Sequence, residues 1–222
     1  MNKLTLVIGN KNYSSWSFRP WLFLKHNRVS FSEIRIPLYQ EGSSAELRKY
    51  SPSGLVPALI HGDLTVWDSL AICEYVSEVF LGGGGWPKDP RARAVARSVS
   101  AEMHAGFQNV RSNLPMNLKA SFSWRHVNDE VEREIGRIID IWETCRSHAA
   151  GGPWLFGEFS IADAMFAPVA LRFHVYGVPL GDVARQYVQS VLALKETQAW
   201  HADALKETEV LSQMEARSIW QA

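Results

Sequence analysis

Residues 81–90 read Leu-Gly-Gly-Gly-Gly-Trp-Pro-Lys-Asp-Pro. Four consecutive glycines and two prolines can neither continue a helix nor pack into a sheet, because glycine loses the most backbone entropy on ordering and proline has no amide to donate. This stretch is the one clear linker, and it separates two parts of different pattern. Before it, short extended runs alternate with helical ones. Leu4 to Ile8 and Glu33 to Leu38 read as strands. Phe18 to His26 reads as a helix with Pro20 in its first turn, and Ser44 to Tyr50 as a short second one. Pro57–Ile60 and Leu64–Trp67 flank the turn residues His-Gly-Asp and read as a hairpin. Ser69 to Phe80 is apolar at helical spacing. The predicted order is β-α-β-α-β-β-α.

After the linker the pattern is helical. A long run is predicted from Arg91 to about Asn113, halted near Pro115, followed by helices over Val127–Ala149, Ile161–Tyr176 and Val183–Leu194. The expected organisation is therefore an α/β domain over 1–81, a linker over 82–89 and an all-helical domain over 90–222.

The 222 residues carry a formal net charge of +0, which supplies no electrostatic reason to expect nucleic acid or an anionic membrane as partner. The first apolar run is too short to span a bilayer, and it lacks the charged start and small-residue cleavage site of a signal peptide. Cys73 and Cys145 lie far apart and form no metal-ligand spacing, so no metal is expected and a reducing, cytoplasmic setting is. Nine tryptophans point first to a large aromatic core.

Three local motifs suggest chemistry. Between the first strand and helix, "NYSSWSFR" crowds Tyr13, Ser14, Ser15 and Ser17 into one turn. Hydroxyls there either cap a helix or hold a ligand against its N-terminus. Val56-Pro57 is followed by the hairpin and then by Asp68-Ser69 at a helix start. Ser69 and free helix amides favour a carboxylate, and Asp68 accepts from an ammonium; the plainer reading is a turn proline and an N-cap. In "GEFSIADAMFAP", Ser160 and Asp163 have the spacing of a capping box, a structural feature.

This layout and these motifs resemble the cytosolic glutathione S-transferase family over essentially the whole chain. "SSWSFR" is similar to the Ser-Ser-Cys-Ser-Trp-Arg motif of its zeta class, as in a bacterial, serine-type member, with Trp16 standing where that class has cysteine. The resemblance implies a thioredoxin-like α/β N-terminal domain followed by an all-α helical C-terminal domain, and usually a homodimer. It implies glutathione as co-substrate, held by Ser15, Leu55, Val56, Pro57, Asp68 and Ser69, with Ser14 as the catalytic donor to its sulfur. Ser15, Ser17 and Tyr13 are alternative donors. Only a thiolate is a good nucleophile, and a hydroxyl donating to sulfur favours that anion.

A second, small, largely apolar electrophile is expected between the domains, near Trp16, His104, Phe107, Arg111 and Arg172. Trp16 is expected to stack on a flat substrate, Arg172 to take an acidic one, and the stretch holding Lys119 and Arg125 to act as a lid. The implied activity is glutathione transfer, with isomerisation of the maleylacetoacetate type or a non-catalytic binding role as alternatives. The missing cysteine argues against thiol–disulfide chemistry.

Overall fold

A computed structural model describes residues 3–149, 151–215 and 220. The first part forms β1 (Leu4–Ile8), α1 (Ser15–His26), β2 (Ser32–Arg35), α2 (Ser43–Tyr50), β3 (Ala58–His61), β4 (Leu64–Trp67) and α3 (Ser69–Leu81). Its four strands lie in the order β2-β1-β3-β4. β1 runs parallel to β2, pairing Leu6 with Glu33, and antiparallel to β3, pairing Leu6 with Leu59. The strand period of two divides β1 between the faces of this sheet. Leu4, Leu6 and Ile8 join the main core with Phe18, Leu22, Ile72 and Val76, whereas Val7 joins Ile36, Leu47 and Ala58 under α2. The element order is the β-α-β-α-β-β-α that the pattern predicts, and the mixed sheet is the thioredoxin-like arrangement that the resemblance implies.

Two predicted elements differ in extent. α1 starts at Ser15, a turn earlier than expected, because Ser14 already serves as its N-cap; Pro20 is therefore its sixth residue. β2 stops at Arg35, ahead of Pro37, which has no amide to extend the ladder.

Beyond the linker come α4 (Pro90–Ala105), α5 (Gln108–Asn113), α6 (Asp129–His148), α7 (Ile161–Val175), α8 (Asp182–Ala193) and α9 (Lys195–Lys206). α7 is apolar nearly all round and buried, as expected of a helix enclosed by others. Its start is fixed by the predicted capping box. Asp163 accepts from the Ser160 amide at 2.9 Å and, through its other oxygen, from the Leu155 amide at 3.0 Å.

The long helix predicted over 91–113 is instead two. Gly106 and Phe107 break it, with Phe107 in the left-handed region at φ 57°. A Cβ on Gly106 would sit 2.8 Å from the Glu102 carbonyl oxygen, so the bend needs glycine. The stretch expected to be a lid is tied down instead. The Lys119 amide donates to Asn12 at 3.1 Å and the Phe122 amide to Val175 at 2.7 Å.

After α9 the chain folds back over residues 10–13. The Glu207 carboxylate accepts from the Lys11 and Asn12 amides at 2.7 and 3.0 Å. Among the described residues, no helix is long and apolar enough to cross a membrane.

Candidate active site

A cleft of about 910 Å³ opens where the N-terminus of α1, the start of β3 and the N-terminus of α3 face α4 and α5. Its floor is the turn after β1. A Cβ on Gly9 would lie 2.6 Å from Leu38 Cδ1 and 3.2 Å from Ser14 Cβ, so only glycine allows this close approach. The turn closes through the Ser14 amide to the Asn10 carbonyl at 2.8 Å, and the Trp200 indole holds it from α9 by donating to the Lys11 carbonyl at 2.8 Å.

The four hydroxyls of this turn have distinct fates. Ser17 is fully buried and outside the cleft lining; its Oγ accepts from the Gly9 amide at 3.0 Å and from the Ser14 hydroxyl at 2.7 Å. Ser14 lines the cleft, and its Oγ also accepts a long 3.4 Å bond from the Ser17 amide. Tyr13 donates to Glu215 at 2.5 Å, and burial together with that carboxylate raises its pKa, so its proton is committed. Ser15 Oγ accepts from Arg172 Nη2 at 3.1 Å.

A second wall carries the Val56–Pro57 segment and the N-terminus of α3. The Val56–Pro57 peptide is cis, and Leu55, Val56 and Pro57 line the wall leading into β3. Ser69 opens α3 with a buried hydroxyl that has no hydrogen-bond partner among the described residues. A buried hydroxyl without a partner is costly, and at a helix N-terminus an anion satisfies it. Asp68 beside it sits at φ 77°, a strained value for a non-glycine residue. Its Oδ1 caps α3 by accepting from the Leu70 and Ala71 amides at 2.8 and 3.2 Å, and its Oδ2 lies 2.5 Å from His104 Nε2. Burial works to raise the Asp68 carboxyl, but the bonds from His104 and the two amides outweigh it and hold the group below its ordinary value. It is a carboxylate at neutral pH.

The third wall is cationic. The guanidinium carbons of Arg19 and Arg111 lie 4.1 and 4.8 Å from the Trp16 ring centre, and His104 meets the same ring edge-on at 5.3 Å. The indole is thus already in contact with cations rather than free to stack on a substrate as the sequence suggests. Arg172 is buried and donates through Nε to the Leu114 carbonyl at 2.9 Å. Burial and the neighbouring positive charges pull Arg172 down to about 10 and Arg19 to about 9, still charged at neutral pH. Each retains a buried Nη1 with no protein partner.

Residues 13–79 match the pattern described as "Glutathione S-transferase, N-terminal domain", and residues 126–202 match "Glutathione S-transferase, C-terminal domain". The chain belongs to the glutathione S-transferase family. A probable maleylacetoacetate isomerase from Caenorhabditis elegans is 33% identical over 176 residues, covering 77% of this chain and 80% of that one. Among solved structures, a glutathione transferase homologue from Burkholderia with bound glutathione superposes with a TM-score of 0.71 at 22% identity, covering 92% of this chain and all of that one (100%). A maleylacetoacetate isomerase from Methylobacterium extorquens with bound malonate and glutathione gives 0.65 at 24%, covering 91% and 97%.

Of the residues singled out in the sequence of this family member, the cleft brings together Ser14, Ser15, Trp16, Leu55, Val56, Pro57, Asp68, Ser69, His104, Arg111 and Arg172. Phe107 does not belong with them. It is only 7% exposed and packs in the core, because the break at Gly106 turns it away from the α4 face on which it was expected. Neither Lys119 nor Arg125 lines the cleft. Sequence reading missed Gln108, Ser112 and Glu215. Gln108 and Ser112 sit four and eight residues after His104, a spacing visible in the sequence; Glu215 reaches the site only through the folded-back tail. Among the described residues, no cluster of side chains is suited to a metal ion.

Proposed function

We propose that this protein binds glutathione in the cleft, holds the sulfur as thiolate against Ser14, and adds it to a small electrophile bearing a carboxylate. The observation that carries the reading is the buried Ser69 hydroxyl, which has no partner among the described residues, beside the charged Asp68 in the same cleft that Ser14 lines. Glutathione has matching groups: an α-carboxylate and ammonium at one end, and a thiol further along. Ser69 and the N-terminus of α3 take the carboxylate, Asp68 takes the ammonium, and the Val56 backbone pairs with the extended peptide as a strand edge does. The Ser14 hydroxyl turns from Ser17 toward the sulfur and donates to it; the positive end of α1 adds to the stabilisation.

The cationic wall revises the expectation of a largely apolar partner. Arg172, bonded to Ser15 next to Ser14, and Arg111 both line the cleft, and Arg172 Nη1, which has no partner among the described residues, is available to a carboxylate. That charge distribution favours the isomerase alternative over general conjugation, as do the maleylacetoacetate isomerase relatives. In such a reaction the thiolate adds to a conjugated carbon–carbon double bond and the electron pair moves onto the adjoining carbonyl. The former double bond rotates, and collapse of the enolate expels the thiolate unchanged. A conjugation would stop at the adduct, with a proton taken up.

Titrating glutathione onto the protein while following thiolate absorbance against pH tests the first step. A bound thiol with depressed pKa supports the reading, and absence of glutathione binding refutes it. Supplying a cis-unsaturated dicarboxylate then separates the two outcomes, since isomerisation leaves glutathione unconsumed. A homodimer is proposed on the family likeness, and sedimentation velocity tests it.

A further inference from the structure

His104 occupies the last turn of α4, yet its Nε2 bonds Asp68 Oδ2, at the junction of β4 and α3. The contact crosses from the helical part of the molecule to the α/β part. A carboxylate only accepts hydrogen bonds, so Nε2 carries the proton in this pair. The imidazole edge also meets Trp16 at 5.3 Å, and the His104 backbone carbonyl accepts from Arg111 Nη1 at 3.4 Å. The other Asp68 oxygen is occupied by two α3 amides. Any cation that pairs with Asp68 must therefore do so at Oδ2, whose direction His104 sets. Asp68 acts electrostatically on Arg19 of α1, and Arg19 and Arg111 of α5 lie against the same Trp16 ring that His104 meets.

We infer that His104 is a positioning residue for the amino group of glutathione, fixing Asp68 Oδ2 toward the cleft, rather than a contact for the second substrate. The inference rests on the glutathione reading above. A carboxylate oxygen has two lone pairs, so Oδ2 keeps the His104 bond while accepting one from the ammonium. Without the imidazole the two α3 amides still hold Oδ1, but nothing from α4 fixes Oδ2, and the incoming ammonium must order that oxygen itself.

The test measures affinity by calorimetry for glutathione and for its des-amino analogue, glutaryl-cysteinylglycine, in wild type, His104→Ala and His104→Gln. The Gln amide nitrogen takes the place of Nε2 and keeps a donor. His104→Ala is expected to weaken glutathione binding by about tenfold, the size of one charge-assisted hydrogen bond, and the des-amino analogue by less than about twofold, because nothing in that ligand addresses Asp68. His104→Gln is expected to recover most of the loss. Equal weakening for both ligands, no weakening for either, or no recovery in His104→Gln overturns the inference while leaving the glutathione site in place. Absence of glutathione binding to the wild type overturns the parent reading and this inference with it.

Discussion

Ser14→Ala removes one oxygen and leaves the turn around it in place. The bond between the Gly9 amide and Ser17 Oγ at 3.0 Å does not involve Ser14, and the capping bond that Ser14 accepts is long at 3.4 Å. The stability cost therefore belongs at the low end of the usual range for a lost N-cap, about 0.5–1 kcal/mol. In a chain of this length that lowers Tm by roughly 1–4 °C. The effect on the bound thiol is larger. A hydrogen bond to an anionic acceptor is worth about 1.5–3 kcal/mol, which at about 1.36 kcal/mol per unit is roughly one to two pKa units. Starting from a free thiol near 8.5, the bound thiol then titrates at about 6.5–7.5 in the wild type and near 8.5 in the variant. At about pH 7 the thiolate fraction falls from roughly a quarter to three quarters down to about 3%, a loss of about 8- to 25-fold. Thiolate absorbance of bound glutathione against pH measures it, with turnover followed in parallel. The deficit in turnover should shrink as pH rises through the variant's thiol pKa. An unchanged thiol pKa refutes the role of Ser14, and a deficit that persists undiminished at about pH 9.5, above both thiol pKa values, refutes the thiolate explanation.

Arg172→Met is expected to lower kcat/KM for a carboxylate-bearing electrophile by about 10- to 150-fold, the equivalent of roughly 1.5–3 kcal/mol, and to spare a neutral electrophile; equal losses for both would count against the anion-binding role. Asp163 is fully buried, and burial pushes its carboxyl up to about 6 although hydrogen bonds from Leu155 and Ser160 oppose the shift. Because the folded pKa lies above the unfolded one, the folded state binds the extra proton in between. Its contribution to stability is thus complete below about pH 4 and is lost as pH rises toward about 6, by roughly 3 kcal/mol. Asp163→Asn should flatten the difference in unfolding free energy between those pH values, measured by denaturant titration; an unchanged slope would show that Asp163 does not titrate there. Glu207→Ala removes the acceptor of the Lys11 and Asn12 amides and should cost roughly 1–3 kcal/mol for each donor left dry. Faster hydrogen exchange at those two amides is the direct readout, and unchanged protection would mean that the tail does not hold the turn.

Some of this was legible because it is local. The glycine-proline stretch between Leu81 and Pro90 interrupts regular structure by backbone chemistry alone, so the change from α/β to helical pattern could be read without a fold. The capping box at Ser160 and Asp163 depends on a three-residue spacing, and it forms as read. The hydroxyl-rich turn and the Val56-Pro57 and Asp68-Ser69 pairs were visible for the same reason: each is a short segment with a definite backbone preference.

What the sequence by itself determined, then, was the element order before the linker and the short stretches that border the cleft, which follow from periodicity and local sterics. Beyond the linker it missed the break that separates α4 from α5 and the helix α9. Tertiary structure alone decided which atoms of those stretches remain uncommitted. Tyr13 is taken by Glu215, two hundred and two residues away in the chain, Ser15 accepts from Arg172, and Ser17 is covered by the close of the turn, so Ser14 is the cleft-lining hydroxyl whose partner, Ser17, belongs to its own turn. Trp16 meets Arg19 from its own helix, but also Arg111 from α5; Phe107 is rotated into the core by a break that a helical period does not reveal. His104 reaches Asp68 across the two parts of the molecule. Such pairings depend on where separate elements come to rest against one another, and the free energy that sets them is spread over the whole core rather than written in any one segment.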